Sequence, residues 1–294
     1  MSNLKEIRAR IASVASTEKI TNAMKMVAAA KLKKSENTTL RFLPYKNKLN
    51  EALSNYLGTL EESVSIPLAE QREPKRIALL AFSSSSGLCG VYNANVTKVF
   101  LKTYSDYANA LGPDHVEVHL FGKKIIEFAE KNNIPVTSSH KSVSEELSFE
   151  LTTQLSDQLV EQFLQHHIDR VVMVYNHHKN AGVQQPKTEI VLPLATTIAT
   201  HRDSASVTYD YLVEPSKEAF VNALIPKVIR TVFYAVMLDA MTAEHGARMT
   251  AMLIASDNAS TLLQELRREY NRARQNVITS ELIDIVGGAE ALNH

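Results

Sequence analysis

Leu4-Lys5-Glu6-Ile7-Arg8-Ala9-Arg10-Ile11-Ala12-Ser13-Val14 is the stretch on which the fold turns. Leu4, Ile7, Ile11 and Val14 recur at alternating steps of three and four, the spacing of a seam between helices. The stretch opens a long run without punctuation. From Ser2 to Tyr56 the only breaker is Pro44, and no glycine occurs before Gly58. From Lys227 to Val286 there is no proline and a single glycine, Gly246. As helices these runs would extend roughly 80–90 Å each at about 1.5 Å per residue, far beyond an ordinary globular helix. With no internal repeat at solenoid periods, such lengths favour a coiled coil.

Beyond Val14 the seam is expected to slip. Continuing the heptad would put Glu18 and Lys25 on it, so the apolar face is expected to resume at Ile20, Met24, Val27 and Leu32, with a local change of supercoil. Ala28-Ala29-Ala30 would let a partner helix approach closely. Toward the other end Leu262, Leu266, Tyr270, Ala273 and Val277 repeat similar steps, preceded by Ile225, Val228, Val232, Met249 and Met252. Spacing alone leaves open two amphipathic helices of a bundle. The sharper reading is two long terminal helices that pair antiparallel.

The texture between them differs. Arg72-Glu73-Pro74-Lys75 reads as a linker, and Ile77-Ala78-Leu79-Leu80-Ala81-Phe82 as a strand. Further strands are expected at 116–121, 171–175 and 189–192, with helices near 93–111, 122–132 and 147–167. Strands alternating with helices imply crossover units and a largely parallel sheet. The almost wholly apolar runs at 77–82 and 171–175 suit strands covered on both faces. The expected fold is therefore α/β, a Rossmann-like domain inserted into a long antiparallel coiled coil. Its expected parts are an N-terminal helix over 1–60, the α/β domain over 75–212 and a C-terminal helix over 216–290.

The 294 residues carry 32 Lys plus Arg and 32 Asp plus Glu, so no net field points to nucleic acid or an anionic membrane. The balance is uneven. Residues 1–60 hold eleven basic side chains (Lys5, Arg8, Arg10, Lys19, Lys25, Lys31, Lys33, Lys34, Arg41, Lys46, Lys48) against Glu6, Glu18, Glu36 and Glu51. Aromatic interleaving is sparse there, which argues against a nucleic-acid arm and leaves an acidic protein surface as a fitting partner. The lone Cys89 excludes an internal disulfide and a Cys-rich zinc cluster, and suits a reducing compartment. No apolar run reaches membrane-spanning length, and periodic sequence beginning by Leu4 argues against a cleaved leader.

No catalytic constellation emerges. Ser83-Ser84-Ser85-Ser86-Gly87-Leu88-Cys89-Gly90 stands where α/β proteins bind phosphates, but it fits neither the P-loop, the dinucleotide fingerprint nor the nucleophile elbow. With no cationic partner nearby in sequence, a simple turn is expected. Cys89 reads as a small buried hydrophobe. His166-His167 and His177-His178 lack a Cys or carboxylate at ligand spacing. The first doublet reads as favourable charge at a helix C-terminus, and the second as lying just after a strand. No cofactor or metal is expected.

Ile7 to Val14, and then Thr17-Glu18-Lys19-Ile20-Thr21-Asn22-Ala23-Met24-Lys25-Met26-Val27-Ala28-Ala29-Ala30-Lys31, closely resemble the N-terminal signature of the gamma subunits of F-type ATP synthases. Glu244-His245-Gly246-Ala247-Arg248-Met249, Tyr270-Asn271-Arg272-Ala273-Arg274-Gln275-Asn276 and Gly87-Leu88-Cys89-Gly90 are similar to other landmarks of that family. The family loop usually carries Asp-Arg where this chain has Ser85-Ser86, and a glycine where it has Val91.

The resemblance implies a non-catalytic rotor. Its coiled coil would enter a ring of alpha and beta subunits, and its α/β domain would meet epsilon and the membrane ring of c subunits, coupling proton flow to ATP chemistry. It implies a peripheral place on the cytoplasmic face of a bacterial inner membrane. It also points to Met24, Lys25, Arg248, Arg274, Gln275, Thr279 and Glu281 as partner contacts. Two rival readings are a small-molecule α/β enzyme with helical oligomerisation arms and a nucleic-acid binder. A ligand at the strand ends near Ser83–Gly90 would mark the first, and a steep salt dependence the second.

Overall fold

The computed structural model describes residues 4–58, 67–141, 149–194, 214 and 217–292. Five α-helices and five strands make up the main elements described. They are α1 (Leu4–Gly58), β1 (Ile77–Phe82), α2 (Tyr92–Leu111), β2 (Val116–Phe121), α3 (Lys123–Lys131), β3 (Ser138–His140), α4 (Phe149–Leu164), β4 (Arg170–Asn180), β5 (Val183–Leu192) and α5 (Lys217–Leu292). The stretch 195–212, which the sequence reading assigned to the α/β domain, lies outside the described residues, as does 216. The chain divides into two compact units: residues 1–28 with 249–294, and residues 29–248.

In the first unit the two helices pair as an antiparallel coiled coil. On α1 the inward stripe is Leu4, Ile7, Ile11, Val14, Glu18, Thr21, Lys25 and Ala28, with Ile7, Thr21 and Ala28 buried and the others half-buried. The expected slip does not occur. The heptad continues unbroken, and Ile20 and Val27 point outward, 57% and 58% exposed. The reason is steric rather than hydropathic. Thr21 and Ala28 are short enough to sit on a close seam, and Thr21 turns its hydroxyl onto Glu18 O at 3.0 Å, which satisfies it locally. The half-buried Glu18 and Lys25 lay their stems along the groove, as long charged side chains can.

On α5 the stripe runs through Met252, Ala259, Leu263, Leu266, Tyr270 and Ala273. Leu262, expected on the seam, is displaced by Leu263 and is 43% exposed. Val277 is 42% exposed, and every residue from Arg274 to Ala289 is exposed.

In the second unit the strands form one sheet in the order β3-β2-β1-β4-β5. β1 pairs parallel with β2 and β4, β2 parallel with β3, and β4 antiparallel with β5. All six residues of β1 are buried, because each face of the sheet is covered. Ala78, Leu80 and Phe82 join Leu159 and Phe163 of α4 and Ile229 and Phe233 of α5. Ile77, Leu79 and Ala81 join Val96 and Phe100 of α2 and Ile125 of α3. A bidentate pair, Arg230 Nε and Nη2 to Asp157 Oδ1 and Oδ2 at 2.7 and 2.8 Å, ties α5 to α4.

Candidate partner-contact surfaces

The paired helices present a mixed outer surface. Ile20, Met26, Val27, Leu253, Ile254 and Leu262 are 41–62% exposed, and among them stand the exposed cations Arg8, Arg10 and Lys19. Beyond Ala273, α5 exposes Val277, Ile278, Leu282, Ile283, Ile285 and Val286 at 42–67%. Six large aliphatic side chains on one short helical stretch form the kind of surface that monomeric soluble proteins avoid unless something covers it. Arg274, Gln275, Thr279 and Glu281 share this exposed stretch, and the Thr279 hydroxyl is taken by its own helix at Gln275 O, 2.9 Å. Met24 and Lys25 are half-buried, Lys25 on the inward stripe and Met24 beside it.

Arg248 makes contacts within the chain. Its Nη1 meets Glu244 Oε1 at 2.9 Å, and its Nη2 donates to Ser86 Oγ at 2.9 Å. The serine loop therefore does have a cationic partner, brought from 162 residues away by the fold, where the sequence reading found none. That cation completes a turn rather than an anion site. Ser83 Oγ accepts from Ile125 N–H (3.0 Å), Ser84 Oγ donates to Ser86 O (2.5 Å), and Ser85 Oγ donates to Lys141 O (2.8 Å). Three of the four serine hydroxyls thus bond within the protein, and Ser86 Oγ accepts from Arg248. Cys89 is buried against Tyr92, Ala243 and Ala247.

His166 stands just beyond the end of α4, with its Nδ1 against Arg72 Nη1. The second histidine doublet differs from expectation. His177 and His178 lie within β4, which runs on to Asn180, and carboxylates distant in sequence do meet them. His177 Nδ1 lies 2.6 Å from Asp239 Oδ2, and His178 Nε2 lies 3.6 Å from Glu36 Oε1. Among the described residues no group of three or more His, Cys, Asp or Glu could hold a metal ion. None of the described helices is long and apolar enough to cross a membrane.

Long paired terminal helices, a mixed α/β sheet between them in the chain and a bare apolar helix end define a class of coiled-coil proteins with an inserted α/β domain. The family model for ATP synthase matches residues 3–292. The ATP synthase gamma chain of Flavobacterium johnsoniae is 45% identical over 293 residues, covering 100% of both chains. That of Bacteroides fragilis is 43% identical over 292 residues, covering 99% of this chain and 100% of the relative. The chain belongs to the ATP synthase gamma chain family, and as such it is a non-catalytic subunit of the central stalk.

Solved structures share the fold. A chain of the Euglena gracilis mitochondrial ATP synthase (OSCP/F1/c-ring) aligns with TM-score 0.63 at 18% identity, covering 98% of this chain and 94% of that one. A chain of the central stalk and c-ring of the Tetrahymena thermophila enzyme aligns with TM-score 0.58 at 24% identity, covering 81% of this chain and 99% of that one.

Proposed function

We propose that this chain is the turning shaft of its synthase, converting proton flow through a membrane ring into ordered changes at the catalytic subunits. The observation that carries the reading is the bare apolar end of α5, where Val277, Ile278, Leu282, Ile283, Ile285 and Val286 lie open. A sleeve formed by the alpha and beta subunits would cover it without gripping it, since dispersion contacts are non-directional and survive rotation. The exposed cations of α1 would add weak pairs to acidic loops, about 0.2–1 kcal/mol each, which suits a part that must let go. A rotor biases otherwise equivalent partners only through contacts that differ between its orientations.

In this reading Met24 and Lys25 touch the surrounding subunits, and Arg274, Gln275, Thr279 and Glu281 touch them near the tip. Arg248, already engaged by Glu244 and Ser86, acts inside the chain. The α/β domain meets epsilon and the c ring, which puts the chain on the cytoplasmic side of a bacterial inner membrane as a peripheral subunit.

Arg274 and Gln275 offer several donors in fixed geometry to acceptors presented by one subunit at a time. Replacing both by alanine is expected to leave melting and complex assembly unchanged, because both are exposed. Coupled ATP turnover should fall at least fivefold. Wild-type turnover and proton pumping in the reconstituted double variant would remove them from the mechanism.

A further inference from the structure

β1 pairs with β4 only as far as Val174, whereas β4 continues to Asn180. From Tyr175 onward β4 is paired only with β5, through Tyr175↔Lys187, His177↔Gln185 and His178↔Gln184 to Asn180↔Val183. A two-stranded ribbon on its own is marginally stable in water, so this one needs a support, and the support is α5. His177 Nδ1 donates to Asp239 Oδ2 at 2.6 Å, and His178 N–H donates to Asp239 Oδ1 at 2.9 Å. A Cβ on Gly246 would stand 3.3 Å from Ala181 O and 3.4 Å from Ala181 Cα, so the ribbon's turn rests on helix backbone.

Asp239 and Gly246 are seven residues apart, two turns on one face and about 10.5 Å along the axis. His178 lies in the paired part of β4, and Ala181 stands just past the strand's end at Asn180, in the turn to β5. The ribbon thus lies along the helix and holds it at two points, which resists twisting as a single contact cannot. On the neighbouring stripe Tyr92 Oη donates to Ala240 O at 2.9 Å, and Cys89 and Tyr92 pack on Ala243 and Ala247.

We propose that the β4–β5 ribbon is a clamp, added to the buried contact of α5 with the sheet and α4, that makes the α/β domain and the part of α5 carrying Asp239 and Gly246 turn as one body, with Asp239 as its positioning residue. The proposal rests on the shaft reading and adds a place where torque passes between sheet and helix. Asp239 touches neither nucleotide nor partner in this account. Its carboxylate gathers two donors from the ribbon and sets the ribbon's angle on the helix.

The test uses assembled complexes immobilised by their head, with a probe on the α/β domain at Lys102→Cys, the native Cys89 being buried. The quantity read is the angular spread of the probe within each pause during ATP hydrolysis. Asp239→Ala should at least double that spread while hydrolysis by the head stays within twofold of wild type. Asp239→Asn should restore the wild-type spread, because its amide oxygen still accepts from His178 N–H and its amino group can donate to a neutral His177 ring. An unchanged spread in Asp239→Ala, or a spread in Asp239→Asn as wide as in the alanine variant, would overturn the clamp. A probe that never turns in wild type would instead contradict the shaft reading, so the two failures are distinct.

Discussion

Gly122→Ala is expected to destabilise the α/β domain by about 4 kcal/mol or more, a large part of the stability of an ordinary domain. Gly122 follows β2 with φ +97°, a conformation that L side chains rarely adopt. A Cβ there would stand 2.2 Å from Ser83 O and 2.7 Å from Ser83 C, and both are backbone atoms that cannot swing aside. The collision falls on a stitched crossing. Ser83 N–H donates to Phe121 O at 2.7 Å, Gly122 N–H to His140 O at 3.0 Å, and Lys124 N–H to Ser84 O at 3.2 Å. Relieving the clash means moving the loop after β1, which breaks these bonds in a buried place. Hydrogen exchange of the β1 amides in the full chain checks this, and a variant within about 1 kcal/mol of wild type would contradict it.

The second large effect is a loss of stability in mild acid. His119 on β2 and His245 on α5 are 7% and 8% exposed. Burial, reinforced by His140, pushes His119 down to about 4. Burial, with Arg248 and Lys31 adding to it, does the same for His245, also to about 4. Glu117 stands 3.9 Å from His119 Nε2 and pulls the other way, but at that separation desolvation wins. Both rings are neutral when folded and take up protons more readily when unfolded. Their contribution is therefore fully present above about pH 6.5 and is lost as pH falls toward 4. At pH 5 the loss relative to pH 8 is roughly 2 kcal/mol for each ring.

That window lies above the ordinary range of carboxylates, which isolates the histidines. Denaturant titrations of the full chain at pH 8, 6.5 and 5 should show the decline. The double variant His119→Asn, His245→Gln should flatten it, even if it starts from a lower value. A wild-type chain equally stable at pH 8 and pH 5 would show that these rings are not held neutral.

What could be read beforehand follows from how local each feature is. The runs 77–82 and 171–175 announced buried strands because a doubly covered strand must be apolar at every position, and β1 and the covered part of β4 lie there. The seam was misjudged because hydropathy was taken as burial. At positions 20 and 27 an aliphatic side chain faces outward, while at 21 and 28 threonine and alanine face in, since a close helix pair selects for size. In the shaft reading those outward aliphatics face partners, and a pattern seen from one chain cannot separate such a surface from a core. The meeting of Arg248 with Ser86 and of Asp239 with His177 joins residues 162 and 62 apart, and no local spacing encodes it. Gly246 was the available clue to the second meeting, because a lone glycine inside a long helix usually marks a close approach.

The shaft reading requires the chain to turn inside its head. Complexes held to a surface by the alpha and beta subunits, with the Lys102→Cys probe on the α/β domain, can be watched while they hydrolyse Mg-ATP. A turning shaft gives rotation in one direction with evenly spaced pauses, one for each catalytic subunit it meets. A probe that stays fixed in angle while ATP is consumed at the normal rate would contradict it.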